Sequence, residues 1–440
     1  MKQIDARTCA LKILIEFEQK QAFSNLLLNR YLKEDRLSEP DRRLVTELVY
    51  GVIQRLNTLD WVADQLLRKG VDSLQLWVRQ LLRLGLYQLM YLDKIPARAA
   101  VYETVQLAKN WGHPGIAKLV NGVLRNYLRK KQSLHFPNIA IQYSVPPKMV
   151  ERMIEIFGQE RAIEIMKANL APPKVSIRVN RLKTDRAQML KRFAQQAEAS
   201  QIAKDGLILQ RVGNPAANQW YEEGFYTVQD ESSMLVADAV SPVANMQILD
   251  ACAAPGGKAT HLAERMQNQG RIIACDQYVH KVKLIDAHAK RLGIDIISTQ
   301  ALDMRHFQSE QQFDVVLLDA PCSGLGVIRR RPEIKWRKEQ QDLQALLELQ
   351  RQLLDVCASY VKPGGVLVYS TCTWEPKENQ DQIEQFLQRQ RKFVLDPHLA
   401  ELLPTAVRQK AMQQEGMVQI LPHHFQSDGF FIARLVRRAA

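Results

Sequence analysis

Two kinds of hydrophobic spacing divide this chain. From residue 1 to about 140, apolar positions recur at three- and four-residue steps: Leu44, Leu48 and Val52; Leu59, Val62 and Leu66; Val78, Leu82, Leu86 and Leu89; then Ile116, Val120, Val123, Leu124 and Tyr127. That spacing gathers apolar side chains on one face of a helix, and Pro96 suits a helix's first turn. β-Branched alternation is missing from residues 1–140, so an all-α bundle is predicted there. Residues 141 to about 170 form a connector with a helix, between the breaks Val145-Pro146-Pro147 and Pro172-Pro173. A small α+β unit follows. Val175 to Val179, Gly206 to Leu209 and Gly224 to Val228 are predicted strands, and Asp185 to Ala197 a predicted helix.

From about residue 242 the pattern becomes strand, loop, helix, repeated. Strands are expected at 246–250, 271–275, 296–300, 313–318 and 365–370, with one more in Gly429 to Val436. Strands alternating with helices predict a doubly wound α/β domain with a mostly parallel sheet. The expected organisation is therefore multidomain: residues 1–140 helical, 141–241 connector and small α+β domain, 242–440 Rossmann-like α/β domain.

Charge changes this picture. The 440 residues carry a formal net charge of +13 and a pI near 9.4. Residues 1–140 hold 22 Lys and Arg against 13 Asp and Glu, a net of +9, with clusters at Arg42-Arg43 and Arg125 to Lys131. One such pair is an ordinary solvated surface; the whole excess points to an RNA-facing module. No apolar run approaches the length of a membrane span, and the first residues lack a signal-peptide core. The six cysteines are scattered with no C-x-x-C pair, and the nine histidines do not complete a metal-ligand spacing with them. These features predict a cytoplasmic protein without a membrane partner or a metal.

Three motifs carry chemistry. The loop Cys252-Ala253-Ala254-Pro255-Gly256-Gly257-Lys258 follows the first predicted α/β strand and opens a helix. Glycines there let backbone N–H groups approach a ligand, and the helix N-terminus favours a negative group. It matches neither a Walker A loop nor G-x-G-x-x-G. Asp276 ends the next strand, where an acid accepts hydrogen bonds from ribose hydroxyls, and Asp303 follows the third, where an adenine would lie. Alone, either acid reads equally well as a turn former; in register with the loop, they point to a nucleoside cofactor.

The other two motifs are Asp319-Ala320-Pro321-Cys322-Ser323-Gly324 and Ser370-Thr371-Cys372-Thr373. Both cysteines follow buried strands at the carboxyl edge of the predicted sheet, where open α/β folds bind ligands. A free thiol is only a few per cent thiolate at neutral pH, so a basic neighbour is needed, and Lys258 is the candidate. Cys9 and Cys357 fall in helical stripes as small core residues, and packing is the default for Cys252 and Cys275. The run Arg329-Arg330-Arg331 with Lys335, Arg337 and Lys338 is expected to steer an RNA backbone, with Trp336 as a stacking surface or a core anchor. Gln229 to Ser233 reads as a helix cap.

Together with Glu378-Asn379 and Arg331 to Trp336, these motifs resemble the RNA cytosine-C5 methyltransferases, over essentially the full length. The helical segment is similar to a NusB-type RNA-binding domain. That combination resembles the bacterial RsmB (Sun, Fmu) family of 16S rRNA methyltransferases. Thr373 stands where the family often has Ser, a change that keeps the hydroxyl. The resemblance implies S-adenosylmethionine as cofactor, held by residues 252–258, Asp276, Asp303 and Asp319. It implies 16S rRNA, or a small-subunit assembly intermediate, as the partner of a monomeric enzyme, with cytosine 967 as the usual target. Bare chemistry does not choose between the two thiols; the resemblance makes Cys372 the nucleophile at C6, Cys322 the assistant in product release, and Asp319 a hydrogen-bond partner near the base or the methyl group. It also gives Arg178-Val179-Asn180 an orienting role. A catalytically silent assembly factor would need neither thiol, and a small-molecule or DNA methyltransferase would not need the basic helical segment.

Overall fold

The computed structural model describes residues 5–34, 37–210, 213–337 and 343–439, and the chain separates into two compact units. The first takes in residues 1–170 together with 330–338. Its larger helices are Ala6–Lys20, Ser24–Glu34, Glu39–Gln54, Leu56–Asp64, Leu76–Tyr91, Ala97–Trp111 and Pro114–Lys130. Polar residues set the starts: Asp5 accepts from the Arg7 and Thr8 amides, and the Ser38 hydroxyl accepts from the Asp41 amide. The predicted stripes face inward, with Leu48, Val52, Leu59, Leu82, Leu86, Val120 and Leu124 in one core. Two features were not expected. Helices Pro147–Phe157 and Gln159–Leu170 belong to this unit, so its compact body extends past residue 140. So does the distant segment 330–337.

That segment corrects the reading of the basic run. Lys335 is buried, and its Nζ donates to the Gln54 carbonyl at 2.7 Å. The Trp336 indole donates to the Ile53 carbonyl at 2.5 Å. Ile53 and Gln54 end helix Glu39–Gln54, where carbonyls lack intrahelical partners and a cation is favoured. Glu333 accepts from the Ser24 hydroxyl at 2.7 Å, and the Arg337 guanidinium lies 3.6 Å from the Phe23 ring centroid. Arg329, in the other unit, donates to the Gln426 carbonyl at 2.6 Å. Arg329, Lys335 and Trp336 therefore anchor local structure, and only Arg331 and Arg337 of the described positions are solvent-exposed. Lys338 lies outside the described residues.

The second unit carries two sheets. The smaller has strands β1 (Val175–Val179), β2 (Ala197–Ala199), β3 (Gly206–Leu209) and β4 (Tyr226–Val228), antiparallel in the order β2-β3-β1-β4. Helix Arg186–Phe193 ends before Ala197, which starts β2 rather than continuing the helix. The larger sheet comprises β5 (Gln247–Asp250), β6 (Arg271–Asp276), β7 (Ile297–Ala301), β8 (Phe313–Asp319), β9 (Val361–Thr371), β10 (Phe393–Leu395), β11 (Met412–Gln414), β12 (Met417–Ile420) and β13 (Phe430–Arg437). Its order is β11-β12-β13-β9-β8-β5-β6-β7, with β10 beside β13. β5 to β9 are parallel; the four strands beyond β9 add an antiparallel edge, so the sheet is mixed. The chain runs outward from β5 to β6 and β7, then returns to β8 on the other side. That reversal opens a crevice at the carboxyl ends of β5 and β8, where such folds bind ligands.

Arg178 on β1 joins the small sheet to helix Gly257–Arg265. Fully buried, it donates to Glu264 at 2.8 and 3.1 Å, to the Thr260 hydroxyl at 2.9 Å, to the Gly257 carbonyl at 2.5 Å and to Gln229. Asn180 donates to the Gly224 and Leu292 carbonyls, both at 2.9 Å. The Arg178 to Asn180 strand thus positions the helix behind the glycine loop. Asp230 caps helix Glu231–Val240 by accepting from the Ser232 amide at 3.0 Å, as the Gln229 to Ser233 motif predicts.

Candidate active site

The carboxyl ends of β5, β6, β8 and β9 bring the predicted site residues to one edge. β5 ends at Asp250, and the chain turns through Cys252 to Gly257 into helix Gly257–Arg265. The Ala253 amide donates to the Cys275 carbonyl at 2.8 Å, which ties this turn to the end of β6. Gly256 has φ 100°, and a Cβ there would lie 3.1 Å from the Ile285 Cα. Its conformation and its close approach to helix Val279–Leu292 both require glycine.

Lys258, in the first turn of that helix, donates to Asp319 Oδ2 at 2.5 Å. The Ser370 hydroxyl donates to Asp319 Oδ1 at 2.8 Å. Asp319 thus joins the glycine-loop helix to β9. Burial favours the neutral lysine, but the Asp319 carboxylate, with smaller help from Cys372 and Asp250, holds its pKa above the ordinary value. Lys258 is therefore an ammonium: it supplies positive charge and cannot itself act as a resting base.

The two thiols meet. Cys322 Sγ lies 3.3 Å from Cys372 Sγ; both cysteines are free and half-buried. The hydrogen bond with Cys372, then burial, push the Cys322 thiol well above its usual range. Their loops are stitched together. The Ser323 amide donates to Glu378 Oε2 at 2.8 Å, and the Ser323 hydroxyl donates to Glu378 Oε1. Ser323 and Thr373 hydroxyls are 2.9 Å apart, Gln350 donates to Glu378 at 3.0 Å, and the Gly326 amide donates to the Cys372 carbonyl at 2.9 Å. Thr371 donates to Asn379 Oδ1 at 2.6 Å, and Asn379 donates to the Thr373 carbonyl at 3.0 Å. Burial raises the pKa of Glu378 above the ordinary carboxyl value.

The predicted acids occupy different surroundings. Asp276 accepts from the Tyr278 amide at 3.1 Å, with Lys281 at 3.8 Å. Asp303 caps the short turn Met304–His306 and pairs with Arg305 at 2.6 Å, which lowers its pKa. Asp250 is the residue sequence reasoning passes over. It is fully buried, and among the described residues no donor meets either carboxylate oxygen in good hydrogen-bond geometry, although the Cys252 amide is close enough to lower its pKa in part. Burial, then the nearby Asp319, push it up to about 7. Its place at the end of the first parallel strand, just before the glycine loop, is the signal that could have singled it out. Cys275 and Cys357 are packing residues, as expected; burial pushes Cys275 up to about 12. Cys252 is also pushed up by burial. Among the described residues no cluster of His, Cys, Asp or Glu suits a metal ion, and no helix is long and apolar enough to cross a membrane.

A doubly wound sheet with a glycine loop and two thiols meeting where its strands end has the architecture of a ligand site at a sheet's switch point. Family models narrow the class: residues 237–436 match "16S rRNA methyltransferase RsmB/F", residues 4–129 the NusB family, and residues 145–214 the ferredoxin-like domain of RsmF/B-like methyltransferases. The chain is 44% identical to "Probable ribosomal RNA small subunit methyltransferase B" of Bacillus subtilis (strain 168), covering 100% of both chains. It is 35% identical to "Ribosomal RNA small subunit methyltransferase B" of Escherichia coli O1:K1 / APEC, over 99% of this chain and 100% of that one. A crystal structure of the protein PH0851 superposes with a TM-score of 0.80 at 27% identity, over 98% of this chain and 99% of the other. The chain belongs to the RsmB/F family of 16S rRNA methyltransferases.

Proposed function

We propose that this methyltransferase modifies C5 of a cytosine in 16S rRNA, with S-adenosylmethionine as methyl donor and a covalent cysteine–C6 adduct as intermediate. The observation that carries the reading is the Cys322–Cys372 pair beside the Lys258–Asp319–Ser370 network. The target is cytosine 967, as the family resemblance implies. Residues 1–140 act as the RNA-binding domain, 141–241 as connector and orienting domain, and 242–440 as the catalytic domain of a cytoplasmic monomer. The substrate is free rRNA or a small-subunit assembly intermediate.

The residues present suit the cofactor. Asp250, buried and without a well-placed donor, provides a carboxylate for an ammonium group. Residues 252–258 offer backbone, Asp276 takes ribose hydroxyls, and Asp303 lies on the adenine side. Bound S-adenosylmethionine supplies an electrophilic methyl group. Cytosine C5 is a weak nucleophile until a thiolate adds at C6. Cys372 makes that bond, and the Lys258 ammonium supplies positive charge nearby. Asp319, held by Lys258 and Ser370, accepts from the exocyclic amine on the base edge and so orients the base for addition. Cys322 rests as a thiol; after methyl transfer it gives its proton to solvent, and its thiolate takes the C5 proton as the C6–S bond breaks and Cys372 leaves as thiolate.

The test is transfer of labelled methyl to 16S rRNA, with denaturing gels for adducts. Cys322→Ala is expected to trap a protein–RNA adduct, because release lacks its assistant. If Cys372→Ala traps the adduct and Cys322→Ala does not, the two roles exchange.

A further inference from the structure

The paired thiols have a second chemical capability. A disulfide needs a sulfur separation of about 2.05 Å and Cα atoms about 4.4–6.8 Å apart. Cys322 Sγ and Cys372 Sγ are already at van der Waals contact, 3.3 Å. They leave neighbouring parallel strands, with Asp319 opposite Ser370, so their backbones run about 4.8 Å apart at the edge. Closing the remaining gap of roughly 1 Å needs only side-chain rotation and a small loop shift. The Ser323–Glu378, Ser323–Thr373 and Gly326–Cys372 hydrogen bonds keep the loops from separating. Cys322 and Cys372 are half-buried residues, as is Cys252, whereas Cys9, Cys275 and Cys357 are buried.

We propose that Cys322 and Cys372 form a reversible oxidation site, at which a hydroperoxide closes an intramolecular disulfide and switches off methyl transfer. The Cys372 thiolate attacks the peroxide O–O bond, which breaks. Its sulfur becomes a sulfenic acid, and the departing oxygen takes a proton to leave as alcohol or, from hydrogen peroxide, as water. The Cys322 sulfur then attacks the sulfenic sulfur. The S–S bond forms, the S–O bond breaks, and hydroxide departs with the Cys322 proton as water. Two thiols lose two electrons and two protons, and one hydroperoxide is reduced. An exogenous dithiol reverses the change by exchange. The off-state rests on the catalytic reading of both thiols; the disulfide itself does not.

The test uses the full-length, reduced protein. It is treated with hydrogen peroxide, unfolded in denaturant, alkylated with N-ethylmaleimide and digested without reductant. The expected result is loss of two of the six alkylatable thiols, a cross-linked peptide joining Cys322 to Cys372, and methyl transfer that falls in step and returns with dithiothreitol. The Cys322→Ser protein should give no cross-link under the same dose. All six thiols alkylated after treatment, or Cys372 driven to sulfinic acid without a cross-link, overturns the site. A cross-link that leaves methyl transfer unchanged overturns the switch and counts against the catalytic reading of the pair.

Discussion

One nine-residue helix, Gly257–Arg265, supports two charged clusters of opposite character, one buried and one half-buried. On one side Thr260 and Glu264 meet Arg178, whose guanidinium donates to four partners: Glu264, the Thr260 hydroxyl, Gln229 and the Gly257 carbonyl. On the other, Lys258 meets Asp319, while Asp250 nearby meets no donor in good hydrogen-bond geometry among the described residues. Burying a charge is costly unless it is paired and hydrogen-bonded. The saturated cluster around Arg178 is built to hold two layers together. The unsaturated one keeps polar capacity for something that binds. The Arg178 side thus reads as architecture and the Lys258 side as chemistry.

Substitutions can break or sharpen this contrast. The largest effect is expected from Cys372→Ala at the unsaturated edge: methyl transfer to 16S rRNA should disappear, with thermal stability and cofactor affinity retained. Wild-type turnover by that variant would remove Cys372 from the mechanism.

Next comes Arg178→Ala. It strands Glu264 in the interior and should lower stability by about 3–5 kcal/mol, read by urea denaturation. Removing both charges, as Arg178→Met with Glu264→Leu, should restore much of the loss. If the single variant unfolds like wild type, the saturated cluster contributes nothing to holding the layers.

A smaller change is expected for Asp276→Ala, which on the proposed function leaves ribose hydrogen bonds unmade. S-Adenosylmethionine affinity should fall by roughly 1–3 kcal/mol in calorimetry. Unchanged affinity would leave Asp276 as the acceptor for Tyr278 alone.

The most modest effect concerns pH. Asp250 sits near 7 in the folded protein, so it is mostly protonated at pH 6 and mostly ionised at pH 7.5. A carboxylate is the form that attracts an ammonium group. Affinity for S-adenosylhomocysteine should therefore rise roughly five- to tenfold over that interval, following the ionised fraction. The same series with Asp250→Asn should be flat; a rise that survives in this variant would assign the titration to another group.

Periodicity and motif position make much of this molecule legible from sequence. Helical stripes such as Leu48–Val52 and parallel strands such as β8 are readable because burial follows a fixed local period. The edge holding Cys322, Cys372 and the glycine loop is readable because open α/β sheets bind ligands where their strands end. Short edge strands such as Ala197–Ala199 and Met412–Gln414 are not, since three residues carry no period. Nor does a charge announce its own burial: Lys335 looks like part of a basic run that steers an RNA backbone until it meets the Gln54 carbonyl, 281 residues away.

The sequence by itself determined the family, the order of elements and the residue types of the site, because each is written in local pattern. Only the tertiary structure decided that the thiols lie 3.3 Å apart, that Asp319 pairs with Lys258 at 2.5 Å, and that Asp250 meets no well-placed donor among the described residues. Pairing and its absence depend on atoms brought together across the sheet edge, and no local pattern encodes that distance.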